Sequence, residues 1–329
     1  MLDGDGFVFP KRKGKSRRRR KNAHAANTEV AEPVADLKSK VDDCLSEIKG
    51  SQFYANFRDS LHRCLQMLES SVIHETMLRK VFDKPGNTKD TELVETTKDS
   101  SLTDTFPRTL SHTPTSVGVK TGCHPSQTSD SRSDVHTNIQ DIICYGLGNF
   151  STCVIARYQM ALLLALRENL NVDLQRCQLY DPRFTECEKD YLRASGVKLI
   201  AENEEGKRTC HETMLFYMPH CDKPLYNNLL YANWGLGLRN IIIIGNSFST
   251  TVQNLPSKIL KSQANYIHQI VPFTHEEPVE NNFCYSDIFN DTSIHCFPCD
   301  RFSVADRGLW EIAPEPKYDS DNLGIILKM

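Results

Sequence analysis

From residue 34 to residue 82 the apolar positions recur at helical spacing. Leu37, Val41, Leu45 and Ile48 step by three and four, Gly50 interrupts, and Phe53, Phe57, Leu61, Leu65 and Leu68 resume the stripe. This pattern predicts a helical hairpin whose apolar face packs on the domain that follows. Residues 83–138 lose the pattern. Ser, Thr, Asp, Lys and Pro dominate, and apolar residues stand alone. Too little can be buried there to offset an ordering entropy of about 1–2 kcal/mol per residue. A disordered Ser/Thr-rich linker is expected, with many hydroxyls that could accept phosphate.

From Ile139 the pattern changes to short apolar runs alternating with amphipathic stretches. Asp141–Tyr145 (DIICY) reads as a buried strand, and Gly146-Leu147-Gly148-Asn149 as a sharp turn. The helix that follows is capped by Ser151 and runs to about Glu168. Further strands are expected at Cys177–Tyr180, Val197–Ala201, Thr213–Met218 and Arg239–Ile244, with a candidate sixth at Ile267–Val271. Helices are expected at Glu186–Ala194 and Pro224–Trp234, closed by Gly196 and Gly235. Alternating β and α units imply parallel strands with right-handed crossovers. The predicted fold is therefore α/β, a Rossmann-like doubly wound and mostly parallel sheet. Its expected strand order is 3-2-1-4-5, with the break beside the first strand.

Charge adds one asymmetry. The net charge of −3 conceals nine basic residues and no acids in Lys11–Lys21 (KRKGKSRRRRK). The rest of the chain carries 30 basic against 42 acidic residues, or −12. A disordered basic arm over 1–33 fits a solvated tail, a segment read by import factors, or a nucleic-acid contact. No aromatic residue is interleaved to stack on bases. The first ten residues lack an apolar core before a small-residue cleavage site, and no apolar run reaches bilayer length. A cytoplasmic chain, also nuclear if the arm is an import signal, is expected. It would have no membrane contact, and its twelve cysteines would stay reduced.

In open parallel sheets ligands bind outside the carboxyl ends of the strands, where strand order reverses. The residues this places together are Gly146, Gly148, Asn149, Ser151, Asp181, Glu202, His220, Asn246 and Ser247. The glycines allow a tight strand-to-helix turn, whose free N–H groups favour an anion. The pattern is G-x-G-N, with Ser151 where a dinucleotide fingerprint has its third glycine. A nucleotide-like ligand and a ligand-free turn both remain open. Asp181 is a candidate ribose contact or an Asp-Pro turn residue, and Glu202 a candidate adenine contact or a solvated acid. Gly146, Gly148, Asp181 and Glu202 could together hold S-adenosylmethionine. Arg157 could reach a phosphate or form a salt bridge. Haem ligation through His or Cys stays open, although no diagnostic spacing such as C-x-x-C-H occurs, and His295-Cys296-Phe297-Pro298-Cys299 is half of a zinc site at most. Neither G-x-S-x-G nor a P-loop occurs.

Several of these segments carry a resemblance. They are Tyr145–Asn149 (YGLGN), Ala156–Gln159 (ARYQ), Tyr180–Pro182 (YDP) and Glu202–Lys207 (ENEEGK). Phe216–His220 (FYMPH), Leu225–Leu229 (LYNNL) with Asn233-Trp234, Ile244–Phe248 (IGNSF) and Asn290–His295 (NDTSIH) complete the set. Together they resemble the sensitivity-to-red-light-reduced (SRR-like) domain over residues 139–297. The resemblance implies a regulatory protein acting through protein partners, tied to clock-gene expression and haem biosynthesis, with no settled enzymatic activity. The segment 298–329 departs from the family pattern.

Overall fold

The structure is a computed structural model that describes residues 34–82, 139–302, 305–310, 314–318 and 325–328. The basic arm and the Ser/Thr-rich linker lie outside the described residues.

Two helices come first, α1 (Val34–Lys49) and α2 (Gln52–Phe82). The α/β unit then runs β1 (Asp141–Tyr145), α3 (Val154–Asn169), β2 (Cys177–Tyr180), α4 (Glu186–Ala194), β3 (Lys198–Leu199), β4 (Met214–Met218), α5 (Lys223–Ala232) and β5 (Ile241–Asn246). It ends with α6 (Phe248–Asn254), α7 (Ser257–Gln263), α8 (Asn265–Ile270), β6 (His275–Pro278), β7 (Thr292–Cys296) and α9 (Cys299–Phe302).

The strands form one sheet in the order β3-β2-β1-β4-β5-β7-β6. β1 to β5 pair in parallel, as the sequence predicts, with the order reversing between β1 and β4. β7 then joins β5 antiparallel, and β6 joins β7 antiparallel at the edge.

Side chains on a strand alternate between faces, and the core divides accordingly. Ile142 and Cys144 of β1 join Leu215, Tyr217, Ile242 and Ile244 under α1 to α4. Ile143 and Tyr145 join Phe216, Met218 and Ile243 under α5 to α8. The hairpin α1–α2 belongs to the first layer. Its stripe of Leu37, Val41, Cys44 and Ile48, then Phe53, Phe57, Leu61 and Cys64, is buried against the sheet side. Phe53 stacks on Phe289 with ring centroids 4.5 Å apart, and the Tyr54 hydroxyl donates to the Ala165 carbonyl of α3 at 2.9 Å.

Some expectations need correcting. Ile267–Val271 is not a strand: Tyr266, Ile267 and Ile270 are buried on one side of the short helix α8. A five-residue apolar run fits either period, and here the helical one holds. The remaining strands are instead HEEP (β6) and TSIHC (β7). β3 shrinks to two residues. Arg239 and Asn240 close a 3-10 turn, so β5 starts at Ile241 and reaches Asn246. Ser151 does not cap α3. The N-cap is Cys153, which makes no side-chain cap hydrogen bond. α4 is capped by Thr185 in a reciprocal capping box with Glu188.

Candidate functional site

β1 delivers Gly146 and Gly148 at φ of +68° and +79°, values that side chains with a Cβ rarely adopt. A Cβ on Gly146 would also lie 2.5 Å from the Cys221 sulfur. The glycines thus turn the chain between β1 and α3 as the sequence predicts. The N–H groups of Gly148, Ser151 and Thr152, however, are already bonded within the chain.

Asp181, buried at the end of β2, accepts from the Gly148 N–H at 2.7 Å and from the Arg183 N–H at 2.7 Å. Glu188, fully buried on α4, accepts from the Ser151 N–H at 2.8 Å. Its other oxygen accepts from the Thr185 N–H and hydroxyl. The Asn149 side-chain oxygen accepts from the Thr152 N–H at 2.9 Å and from the Ser151 hydroxyl at 2.9 Å. Arg157 caps the loop's carbonyls, donating to Phe150 at 3.1 Å and also to Ser151; it is not a sheet-edge salt bridge. The loop is an anion cradle filled by the chain's own acids.

Across the switch point the strand ends are tied together. The Cys221 thiol donates to the Tyr145 carbonyl at 3.2 Å. The Asn246 side chain donates to the Cys221 carbonyl at 3.1 Å. The Tyr226 hydroxyl accepts from the Asn246 N–H at 2.9 Å and donates to the Met218 carbonyl, which bridges β4 and β5. His220, at φ +52°, has Nε2 3.1 Å from the Ile288 carbonyl oxygen. Tyr217, on the opposite face of β4, buries its hydroxyl with no hydrogen-bond partner among the described residues.

Ser247 lies one strand further along and belongs to a cluster the sequence did not reveal. Its hydroxyl caps α6, accepting from the Thr250 N–H at 3.0 Å and donating to Glu276 of β6 at 2.5 Å. Glu276 also accepts from the Ser249 N–H at 2.9 Å and hydroxyl at 2.6 Å. His295 of β7, fully buried and stacked on Phe248, has Nε2 3.7 Å from Glu276. Burial pushes the Glu276 carboxyl up, but His295, Ser247 and Ser249 outweigh it and hold the group well below the usual carboxylate range. A pocket of about 310 Å³ opens beside this cluster. Ser247, Ser249, Thr250, Gln253, Glu276 and Asp291 are among its lining residues. The Ser247 hydroxyl bonds Glu276 and a backbone N–H, so it is not placed as a nucleophile on an imidazole base.

Gly146, Gly148, Asn149, Ser151 and Asp181 are therefore gathered at the ends of β1 and β2. Asn246 reaches them through Cys221, and Ser247 faces the neighbouring pocket. Glu202 is not part of the group. Its side chain is 74% exposed and pairs with Lys328 at 2.7 Å. Among the described residues, no three His, Cys, Asp or Glu side chains gather as a metal site, and no helix is long and apolar enough to cross a membrane.

Residues 110–296 match the family model of the SRR1 domain. An SRR1-like protein of Mus musculus is 43% identical over 130 residues, 39% of this chain and 52% of that protein. An SRR1-like protein of Drosophila melanogaster is 29% identical over 187 residues, 56% of this chain and 65% of that protein. Protein SENSITIVITY TO RED LIGHT REDUCED 1 of Arabidopsis thaliana is 32% identical over 108 residues, 32% of this chain and 39% of that protein. The aligned part thus spans less than two thirds of each of these relatives, and about half of the mouse one. No solved structure matches the chain. The family match takes in all seven strands, the glycine loop and the Ser247–Glu276–His295 cluster, and covers more than half of the sequence: the chain belongs to the SRR1 domain family.

Proposed function

We propose that this chain is a regulatory protein, acting on clock-gene expression and haem biosynthesis through protein partners. Its strand-end pocket would sense a small polar ligand rather than carry out a reaction. The observation that supports this reading is the self-occupied glycine loop. Asp181 and Glu188 hold N–H groups that a nucleotide phosphate would need. S-adenosylmethionine bound on Gly146, Gly148 and Asp181 would have to draw Asp181 away from two backbone donors. The open chemistry lies in the pocket beside the Ser247–Glu276 cluster, where Gln253, Asp291 and Thr292 bring further polar groups and suit a hydroxyl- or amine-bearing ligand. Family membership supports the regulatory role.

The test is complementation of cells lacking the protein with wild type, Glu276→Gln and Gly148→Val, reading rhythmic transcript amplitude and cellular haem. Wild type should restore both, and folded Glu276→Gln should restore neither. Unchanged rhythms and haem in the deficient cells would sink the regulatory reading. Full rescue by Glu276→Gln would remove the pocket from it.

A further inference from the structure

The segment after α9 lies outside the matched residues 110–296, yet it is held on the family core by specific contacts. Four of them go to its main chain. Trp234 Nε1 donates to the Leu309 carbonyl at 2.9 Å, and the Tyr266 hydroxyl donates to the Pro314 carbonyl at 2.6 Å. Asn203 donates to the Ile326 carbonyl at 2.6 Å, and Glu205 accepts from the Lys328 N–H at 2.5 Å. Contacts to main-chain atoms hold a segment whatever its side chains, and a side-chain pocket then supplies selectivity.

That pocket is built by Asn227 and Asn228 of α5, which are 2% and 1% exposed. Each amide spends one end on the fold. The Asn227 oxygen accepts from the Tyr266 N–H at 2.7 Å, and the Asn228 nitrogen donates to the Glu205 carbonyl at 2.8 Å. The other ends turn to a common point, where they offer one donor and one acceptor. The Tyr318 hydroxyl sits there, accepting from Asn227 at 3.0 Å and donating to Asn228 at 2.9 Å, with the Pro224 carbonyl at 3.2 Å. A hydroxyl is the group that matches such a pair. Burial pushes the Tyr318 phenol up to about 12, so it keeps the proton it donates. The ion pair of Glu315 with Lys207 at 2.8 Å is partly exposed and adds little.

We propose that this surface over α5 and the loop 202–208 is a docking site for a tyrosine-bearing protein segment, and that residues 306–310, 314–318 and 325–328 occupy it in cis as a latch. A partner segment of that kind competes with the latch. Tethering gives the latch an effective concentration near the millimolar range, so the site is closed until a competitor arrives or the latch weakens.

The test uses the full chain and a labelled synthetic peptide of residues 306–328, read by fluorescence anisotropy. Tyr318→Phe in the chain weakens the latch without altering its main-chain contacts. The Tyr318→Phe chain should therefore bind the peptide about tenfold more tightly than wild type, because the open fraction rises. A peptide with the same Tyr→Phe change should bind that chain about tenfold more weakly, because it leaves both amides unpaired. In wild type, saturating peptide should speed hydrogen exchange across residues 306–310 and 314–318. Equal binding of the two peptides overturns the proposal, as does no binding at millimolar peptide or unchanged exchange in those residues.

Discussion

Replacing Asp181 by alanine removes the acceptor for two backbone N–H groups, those of Gly148 and Arg183, each 2.7 Å from the carboxylate. Hydrogen bonds to a charged acceptor contribute about 1.5–3 kcal/mol each, and a buried donor left without a partner bears its full desolvation cost. The two donors differ in exposure. Arg183 is exposed, so water can serve its N–H, while Gly148 is half-buried in the turn. Most of the loss therefore falls on Gly148, and Asp181→Ala should cost about 2–3 kcal/mol. Asp181→Asn keeps one acceptor oxygen and the side-chain volume, and should cost about half of that. Urea unfolding followed by the fluorescence of Trp234 and Trp310 measures both. The midpoint should fall in the order wild type, Asn, Ala, with unchanged slope. An Asp181→Ala unfolding free energy within about 0.5 kcal/mol of wild type would show that Asp181 does not hold the loop, and the nucleotide reading of Gly146 and Gly148 would return. Calorimetric titration of wild type with S-adenosylmethionine should show no binding, and heat of binding there would carry the same message.

Four other outcomes are expected. Glu276 is held below its ordinary value of about 4.3 in the folded chain, so its contribution is complete above the unfolded value and is lost as pH falls through the folded one. The stability gap between wild type and Glu276→Gln should accordingly shrink below about pH 4 in acid-unfolding curves, and a constant gap would refute it. A methyl on Gly245 would meet the Tyr226 hydroxyl and lie 2.9 Å from the Met218 carbonyl oxygen. Gly245→Ala should therefore cost about 1–3 kcal/mol by overpacking, read as a lower melting temperature. Phe53→Ala should cost about 3–5 kcal/mol, since Phe53 is 1% exposed and stacked on Phe289. A loss under about 1 kcal/mol in denaturant would mean that the hairpin is not part of the core. Tyr217→Phe removes a buried hydroxyl that has no partner among the described residues, so stability should hold or rise by about 1 kcal/mol; a clear loss would reveal a bound partner.

Where the sequence spoke clearly, the reason was periodicity or the turns that bound a run. The α1 and α2 stripes repeat at helical spacing, CQLY alternates, and DIICY and MLFYM are buried apolar runs bounded by turn residues; all are found in the elements expected. Ile267–Val271 reads as a candidate strand, though most of it lies in α8, because a short apolar run carries no period of its own. β6 was missed because HEEP is polar: an edge strand pairs on one side only and needs no apolar alternation. Missing β6 hid Glu276, and with it the partner of Ser247, since a contact spanning 29 residues between a loop and an edge strand leaves no local spacing.

Asp181 shows a different limit. Strand-end geometry correctly put an acid beside the glycine loop, but two acceptors compete for the same N–H groups, a ligand's anion and the chain's own carboxylate. Residue type and position are identical in both cases. What decides is whether the backbone after β2 turns the carboxylate inward. Here Asp181 also accepts from the Arg183 N–H two residues on, which closes a local turn and fixes the side chain toward Gly148. A nucleotide-binding sheet needs that carboxylate turned outward, toward a ribose. The Asp-Pro turn and the candidate site are thus one feature, and the turn aims Asp181 at the Gly148 N–H.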